Sequence, residues 1–243
     1  MSIPLDGNLQ TTLQYGQIEM QGQFTRGCNY SFLVRVHHQG FEVPTVYKPS
    51  RGEQPLWDFP ENTLARRELS AYLFSQALGW DFVPVTVLRE DGPFGPGSLQ
   101  QFIDHDPRVH YFTFTEADRQ RLRPVVLFDL LVNNADRKGS HILIENNTNK
   151  LWLIDHGLCF HVDDKLRTVI WDFAGEPIPP ELLSILENTY RDLSGSSGLR
   201  LSLEPYLNPQ ELHALSSRVA HWLESAVFPA PPSDYRAVPW PPV

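Results

Sequence analysis

Two aspartates near the middle of this chain, Asp136 and Asp155, have the type and spacing of a carboxylate pair that could do chemistry. Asp136 closes the segment Asp129-Leu130-Leu131-Val132-Asn133-Asn134-Ala135-Asp136, and Arg137, Lys138 and Gly139 follow it. Asp155 ends the apolar run Leu151-Trp152-Leu153-Ile154 and leads into His156 and Gly157. Nineteen residues separate the two carboxylates. Each sits where an apolar element delivers it onto a polar turn. In such a pair one carboxylate orients an attacking hydroxyl and the other holds a metal on nucleotide phosphates. Read singly, each is also an ordinary Asp stabilising its own turn. Gly157 lets the backbone bend where the Asp155 carboxylate must face a metal. His141 stands five residues after Asp136, a position that kinases give to a metal-binding Asn. Neutral imidazole ligates metals but suits ions softer than Mg²⁺. A preference for Mn²⁺, a single-metal mechanism and lost activity are all open, as is a His141 that only hydrogen-bonds its turn.

A cation must meet those carboxylates, and Lys48 is placed to do so. It ends the strand-like Val46-Tyr47-Lys48, and Pro49 keeps its backbone extended. There it can reach the α- and β-phosphates of ATP, or it is a solvated strand-end lysine. Glu68 favours the first. Leu64, Glu68, Ala71, Ser75 and Leu78 recur at 4, 3, 4 and 3 and share one helix face. A carboxylate amid a mostly apolar stripe is costly without a cation. Lys48 is the suitable partner, and such a Lys–Glu pair positions the phosphate-binding lysine of kinases; a local pairing with Arg67 is the alternative. The loop Gly22–Gly27, with Cys28 and Asn29, either folds over phosphates with its backbone N–H groups or is an ordinary hairpin loop. His141, His156, Cys159 and His161 do not have the spacing of a closed zinc site.

The rest of the composition narrows the class. With 243 residues and 41% hydrophobic content the chain builds one large domain or two lobes around a cleft. A net charge of −9 gives no basic footprint for nucleic acid or an anionic membrane, and counts against a polyphosphoinositide headgroup. Two cysteines make no disulfide framework. No signal peptide and no membrane-spanning stretch is read, so a cytoplasmic protein is expected.

Along the chain, residues 16–47 alternate as two hairpins, a three-stranded antiparallel start. A helix follows at 62–78, capped by Asn62 or Thr63 and ended by Gly79. Val83–Arg89 and Ser98–Ile103 read as strands around a Gly/Pro-rich turn. Thr115 and Asp118 form a capping box, Pro124 starts a helix, and Val125–Val132 is apolar nearly all round, hence buried. Ile142–Glu145 and Leu151–Ile154 make a hairpin. Helices are expected over 181–192 and 209–226. The last fifteen residues hold six prolines and read as a polyproline-like or disordered tail.

These motifs carry a specific resemblance. Asp129-Leu130-Leu131, Asn134, Asp136-Arg137 and Ile154-Asp155-His156-Gly157 resemble the phosphatidylinositol 3-/4-kinase-related fold. They look closest to its type II phosphatidylinositol 4-kinase branch and to HipA-type protein kinases. Over nearly the whole chain, including Tyr47–Pro60 and Asn133–Gly139, it also looks like a bacterial phosphatidylinositol 3-/4-kinase-like group. The resemblance implies an α+β, two-lobed protein-kinase-like fold: a small antiparallel-sheet N-lobe over 1–104, a mainly helical C-lobe over 105–228 and a Pro-rich tail over 229–243. It maps Lys48 to the ATP lysine, Glu68 to its helix partner, Asp136 to the catalytic aspartate and Asp155 to the metal aspartate. His141 stands in for the metal Asn and is the clearest departure. Gln101, Phe102 and Ile103 would form the hinge at the adenine, and Arg167–Glu176 the activation or substrate loop. The lipid in the family name is inherited; nothing in these residues reads a lipid.

The expectation is therefore an ATP- and Mg²⁺- or Mn²⁺-dependent phosphotransferase with a protein or small-molecule hydroxyl as acceptor. The alternatives are a nucleotide-binding pseudokinase or scaffold, a lipid kinase, and an enzyme of the same fold that transfers AMP.

Overall fold

The computed structural model describes residues 6–24, 30–195 and 198–243. Its first half is built on a five-stranded antiparallel sheet. Strands β1 (Gln17–Gln23), β2 (Phe32–His38), β3 (Phe41–Pro49), β4 (Thr86–Arg89) and β5 (Gly97–Gln101) lie in the order β1-β2-β3-β5-β4. The expected three-stranded start is present, and β5 pairs with β3 through Lys48 opposite Ser98 and Thr45 opposite Gln101. Side chains alternate across a sheet with period two. One face therefore carries Phe32, Val34, Val36, Val43, Tyr47, Val87 and Leu99, buried against Leu9 and Leu13 of helix α1 (Asp6–Tyr15). Lys48 falls on the opposite face, toward helix α2 (Leu64–Ala77).

The α2 cap differs from expectation. Thr63 turns its hydroxyl to the Pro60 carbonyl (2.7 Å). The carboxylate of Glu53, from the loop before the helix, accepts instead from the N–H groups of Leu64 (3.4 Å) and Ala65 (3.3 Å). An acceptor at a helix N-terminus satisfies donors that have no partner within the helix. Gly79 at φ +68° ends the helix as read.

The second half is mainly helical: α3 (Glu116–Gln120), α4 (Arg123–Val132), α5 (Pro180–Ser194), α6 (Leu199–Leu203) and α7 (Pro209–Ser225), with one hairpin of β6 (Ile142–Ile144) and β7 (Leu151–Leu153). The Thr115–Asp118 capping box forms, and α4 is buried from Val125 to Val132. Its end is fixed by Asn133 in left-handed backbone (φ +54°), where Asn is tolerated. Leu69, Ala71 and Phe74 of α2 share a core with Phe128, Phe160, Leu186 and Leu215. The buried Arg67 reaches Glu211 of α7 and the Cys159 carbonyl. Helix α2 is thus held by both halves, and its position is set by the body of the protein.

The proline-rich end is not a free tail. Phe228 is buried, the Ala237 carbonyl accepts from Thr168 N–H (3.0 Å), and the Pro242 carbonyl accepts from Gly139 N–H (2.8 Å). A segment poor in N–H donors binds here through its carbonyls. Among the described residues no helix is long and apolar enough to cross a membrane.

Candidate active site

The geometry of the loop after α4 starts from a buried ion pair that sequence reading did not single out. Arg137 and Asp129 are both fully buried. The guanidinium grips the Asp129 carboxylate with Nε (2.9 Å to Oδ2) and Nη2 (2.9 Å to Oδ1). Nη1 donates to the carbonyls of His141 (3.2 Å) and Ile154 (3.0 Å), and Nη2 also meets His156 Nε2 at 2.8 Å. Asn134 adds Nδ2 to Asp129 (3.2 Å), while its Oδ1 accepts from Asp136 N–H (2.9 Å). A buried charge is tolerated when it is paired and its remaining hydrogen bonds are met. This network ties α4, the loop after it and the β7 exit together. The signal available in sequence was the Arg directly after Asp136; its partner eight residues earlier lies inside an apolar helix.

On this base stand the residues expected from sequence. Asp136 is half-buried, its Oδ2 3.0 Å from Lys138 Nζ. Burial raises its carboxyl above the ordinary aspartate range, against the pull of Lys138. Asp155 follows β7 in left-handed backbone (φ +62°), which turns its carboxylate back toward the loop. Lys48 meets Glu68 Oε1 in a close ion pair and Asp155 Oδ1 at 2.9 Å. Burial works against the Lys48 charge, yet Asp155 and Glu68 outweigh it and hold the ammonium above its usual range. The Lys48 charge in turn is the main reason the Asp155 carboxyl lies far below its usual range. Glu68 is only 3% exposed, and its second oxygen accepts from His156 N–H (3.0 Å). Lys48, Glu68 and Asp155 therefore converge from three elements, as their types and spacing indicated.

His141 completes the cluster. Its Nδ1 lies 3.0 Å from the Asp136 carbonyl, which can only accept, so Nδ1 carries the proton. Nε2 then presents a lone pair to Asp155 Oδ2 at 3.4 Å. Burial lowers the imidazole to about 4, so it is neutral near pH 7. Two lone-pair donors facing each other call for a cation between them. One donor atom each from Asp136, His141 and Asp155 lie within 4.8 Å of one another. That nitrogen-and-oxygen set fits a divalent ion of the Mn²⁺ kind better than an all-oxygen Mg²⁺ cage. Among the described residues it is the only group of three such donors. His156 faces Arg137, and His161 faces the Asp58 carbonyl, so neither joins it.

The remaining expected contacts lie further off. Gln101 pairs with Thr45, three residues before Lys48, about 10 Å along the sheet. Gln101 and Phe102 give their N–H groups to Val85 and Pro44, and Ile103 is buried. Gly27, Cys28 and Asn29 lie outside the described residues. The Arg167–Glu176 segment runs beside the loop that holds Asp136, with Arg137 N–H donating to the Arg167 carbonyl (2.9 Å) and Val169 N–H to the Arg137 carbonyl (3.2 Å).

Comparisons with known proteins bear on the family and the fold. The family described as phosphatidylinositol 3- and 4-kinase matches residues 72–192, a span that holds Asp136, His141 and Asp155 but neither Lys48 nor Glu68. Protein Rv2133c of Mycobacterium tuberculosis is 36% identical over 276 aligned positions, covering 99% of this chain and 98% of that one. Among solved structures, the Helicobacter pylori proinflammatory kinase CtkA has a TM-score of 0.56 at 12% identity, over 89% of this chain and 94% of its own. Hydra Fam20, solved with sugar, has a TM-score of 0.52 at 14% identity, over 90% of this chain and 88% of its own. At such identities the likeness is one of fold, and the fold is kinase-like.

Proposed function

This chain belongs to the phosphatidylinositol 3-/4-kinase-like family of atypical kinases, and we propose that it transfers the γ-phosphoryl group of ATP to a hydroxyl on a protein or small molecule. The observation that carries this reading is the meeting of Lys48, Glu68, Asp136, His141 and Asp155 in one cluster. Asp136 takes the acceptor's proton: its carboxyl is raised by burial, and Asn134 fixes its backbone. Lys48, braced by Glu68, holds the nucleotide phosphates. Asp155 and His141 hold the divalent ion, with an oxygen of Asp136 in reach. Such an ion neutralises charge on the phosphate oxygens. Gln101, Phe102 and Ile103 form the adenine hinge, and the loop with Gly27, Cys28 and Asn29 covers the phosphates. In this reading residues 1–104 are the N-lobe, 105–228 the C-lobe and 229–243 a tail strapped to it. The compartment is the cytoplasm, where ATP is abundant.

A protein or small-molecule acceptor is favoured over a membrane lipid because the net charge of −9 disfavours an anionic surface. A pseudokinase is the second reading, favoured by His141 at the metal position. Transfer of AMP is separated by the mass added to the product. The experiment is ATP turnover with Mg²⁺ and with Mn²⁺ for the wild type, Asp136→Ala and Asp155→Ala. The reading expects turnover in the wild type and a loss of ~10²–10⁴-fold in Asp136→Ala, with Asp155→Ala also impaired. Equal rates in all three would reject it, and nucleotide-induced thermal stabilisation without turnover would favour the pseudokinase.

A further inference from the structure

His156 is fully buried beside Asp155, and the proposed chemistry does not use its side chain. Its ring is seated edge-on to Phe128, centroids 5.7 Å apart. Nε2 lies 2.8 Å from Arg137 Nη2. A guanidinium only donates, so Nε2 must accept and, in the neutral ring, Nδ1 must carry the hydrogen. That Nδ1–H is buried and has no hydrogen-bond partner. Its nearest carboxylate is Glu68 Oε2 at 4.0 Å, the same oxygen that already accepts the backbone N–H of His156 at 3.0 Å. A buried donor 4.0 Å from a carboxylate oxygen, just beyond hydrogen-bond range, is a contact that a small movement could complete.

The movement available is that of Lys48. It now bridges Glu68 and Asp155. In the proposed reaction Asp155 turns to the metal and Lys48 leaves it for the phosphates, so the Glu68 carboxylate, still paired with Lys48 through Oε1, can shift with it. We propose that His156 is a positioning residue that links helix α2 to the catalytic loop: Nε2 stays on Arg137, and Glu68 closes onto Nδ1–H when nucleotide and metal occupy the cleft. The chain of contacts then runs from Lys48 through Glu68 and His156 to Arg137 and Asp129. Seating of the nucleotide lysine is thereby felt one residue from Asp136. The link rests on the kinase reading, but its first test does not depend on turnover.

That test is nitrogen-15 NMR of histidine-labelled full-length protein, alone and with a non-hydrolysable ATP analogue and Mg²⁺. His156 is expected as the Nδ1–H tautomer in both, with the Nδ1 proton moving downfield and exchanging more slowly once the analogue binds. The Nε2–H tautomer, or an Nδ1 proton indifferent to the analogue, would overturn the proposal. The second test is kinetic. His156→Phe keeps the ring but neither polar contact; His156→Gln keeps an acceptor for Arg137 and a donor for Glu68. The link expects kcat/KM for ATP to fall about tenfold or more in the Phe variant and to recover to within about threefold in the Gln variant. Equal kcat/KM in the two folded variants sinks it. A wild type that binds the analogue but turns nothing over would defeat the kinase reading and leave the NMR result to decide the link.

Discussion

Lys48 Nζ and Asp155 Oδ1 lie 2.9 Å apart although 107 residues separate them in the chain. This contact joins the sheet to the exit of the β6–β7 hairpin. In the proposed reaction it also marks what changes on substrate binding, because there the lysine turns to the phosphates and the carboxylate to the metal. Lys48→Met should therefore impair nucleotide use, with kcat/KM for ATP down by ~10²–10³. Glu68→Gln should cost less, since it weakens the brace and leaves the ammonium. Steady-state kinetics on both variants checks the order; a Glu68 variant worse than the Lys48 variant would contradict it.

The Asp129–Arg137 pair makes a stability prediction. Removing one member of a buried pair leaves the other charge uncompensated. Asp129→Ala should cost about 3–5 kcal/mol, a fall in melting temperature of roughly 10 °C. Thermal unfolding measures it, and a shift of a degree or less would mean that Arg137 is not held as described.

In the proposed site His141 would set the metal preference. Its Nε2 should make Mn²⁺ bind more tightly than Mg²⁺ in the presence of a non-hydrolysable ATP analogue. His141→Ala should lose Mn²⁺ affinity by at least roughly tenfold, since even outer partners of a metal cost that much. Electron paramagnetic resonance of bound Mn²⁺ reads the affinity directly. Unchanged Mn²⁺ binding in the variant would remove His141 from the site.

Glu53, which meets the first N–H groups of α2, gives a pH dependence. Burial raises its carboxyl above 4.5, with the N–H groups of Ala65 and Leu64 opposing. A carboxyl whose folded pKa is raised binds protons more readily folded than unfolded. Its stabilising contribution is thus complete below 4.5 and is lost as pH rises through the higher folded value. Glu53→Gln can still accept the α2 N–H groups. It should be at least as stable as the wild type at pH 7, with that advantage shrinking below pH 4.5. Urea unfolding at the two pH values tests this; an advantage that grows on acidification would reverse the sign.

Much of the site was legible because its residues end regular elements. Lys48 closes an alternating strand before Pro49, Glu68 interrupts a helical stripe, and Asp136 and Asp155 follow apolar runs. The sheet hairpins announce themselves by period two. What escaped depends on partners distant in sequence or on weak patterns. Helix α1 buries Leu9 and Leu13 on an otherwise polar turn sequence, too little periodicity to read. The α2 cap comes from Glu53, eleven residues before Leu64. The roles of Asp129 and His156 exist only once Arg137 is buried between them. The proline-rich end reads as a polyproline-like or disordered tail, yet Ala237 and Pro242 dock through their carbonyls on Thr168 and Gly139.

The central claim is that these groups form one phosphoryl-transfer site. An experimental structure with a non-hydrolysable ATP analogue and Mn²⁺ tests it most directly. The account predicts the γ-phosphate on the Asp136 side, the ion against Asp155 and His141, and Lys48 moved from Asp155 to the phosphates. A nucleotide bound elsewhere, or a γ-phosphate turned away from Asp136, would contradict it.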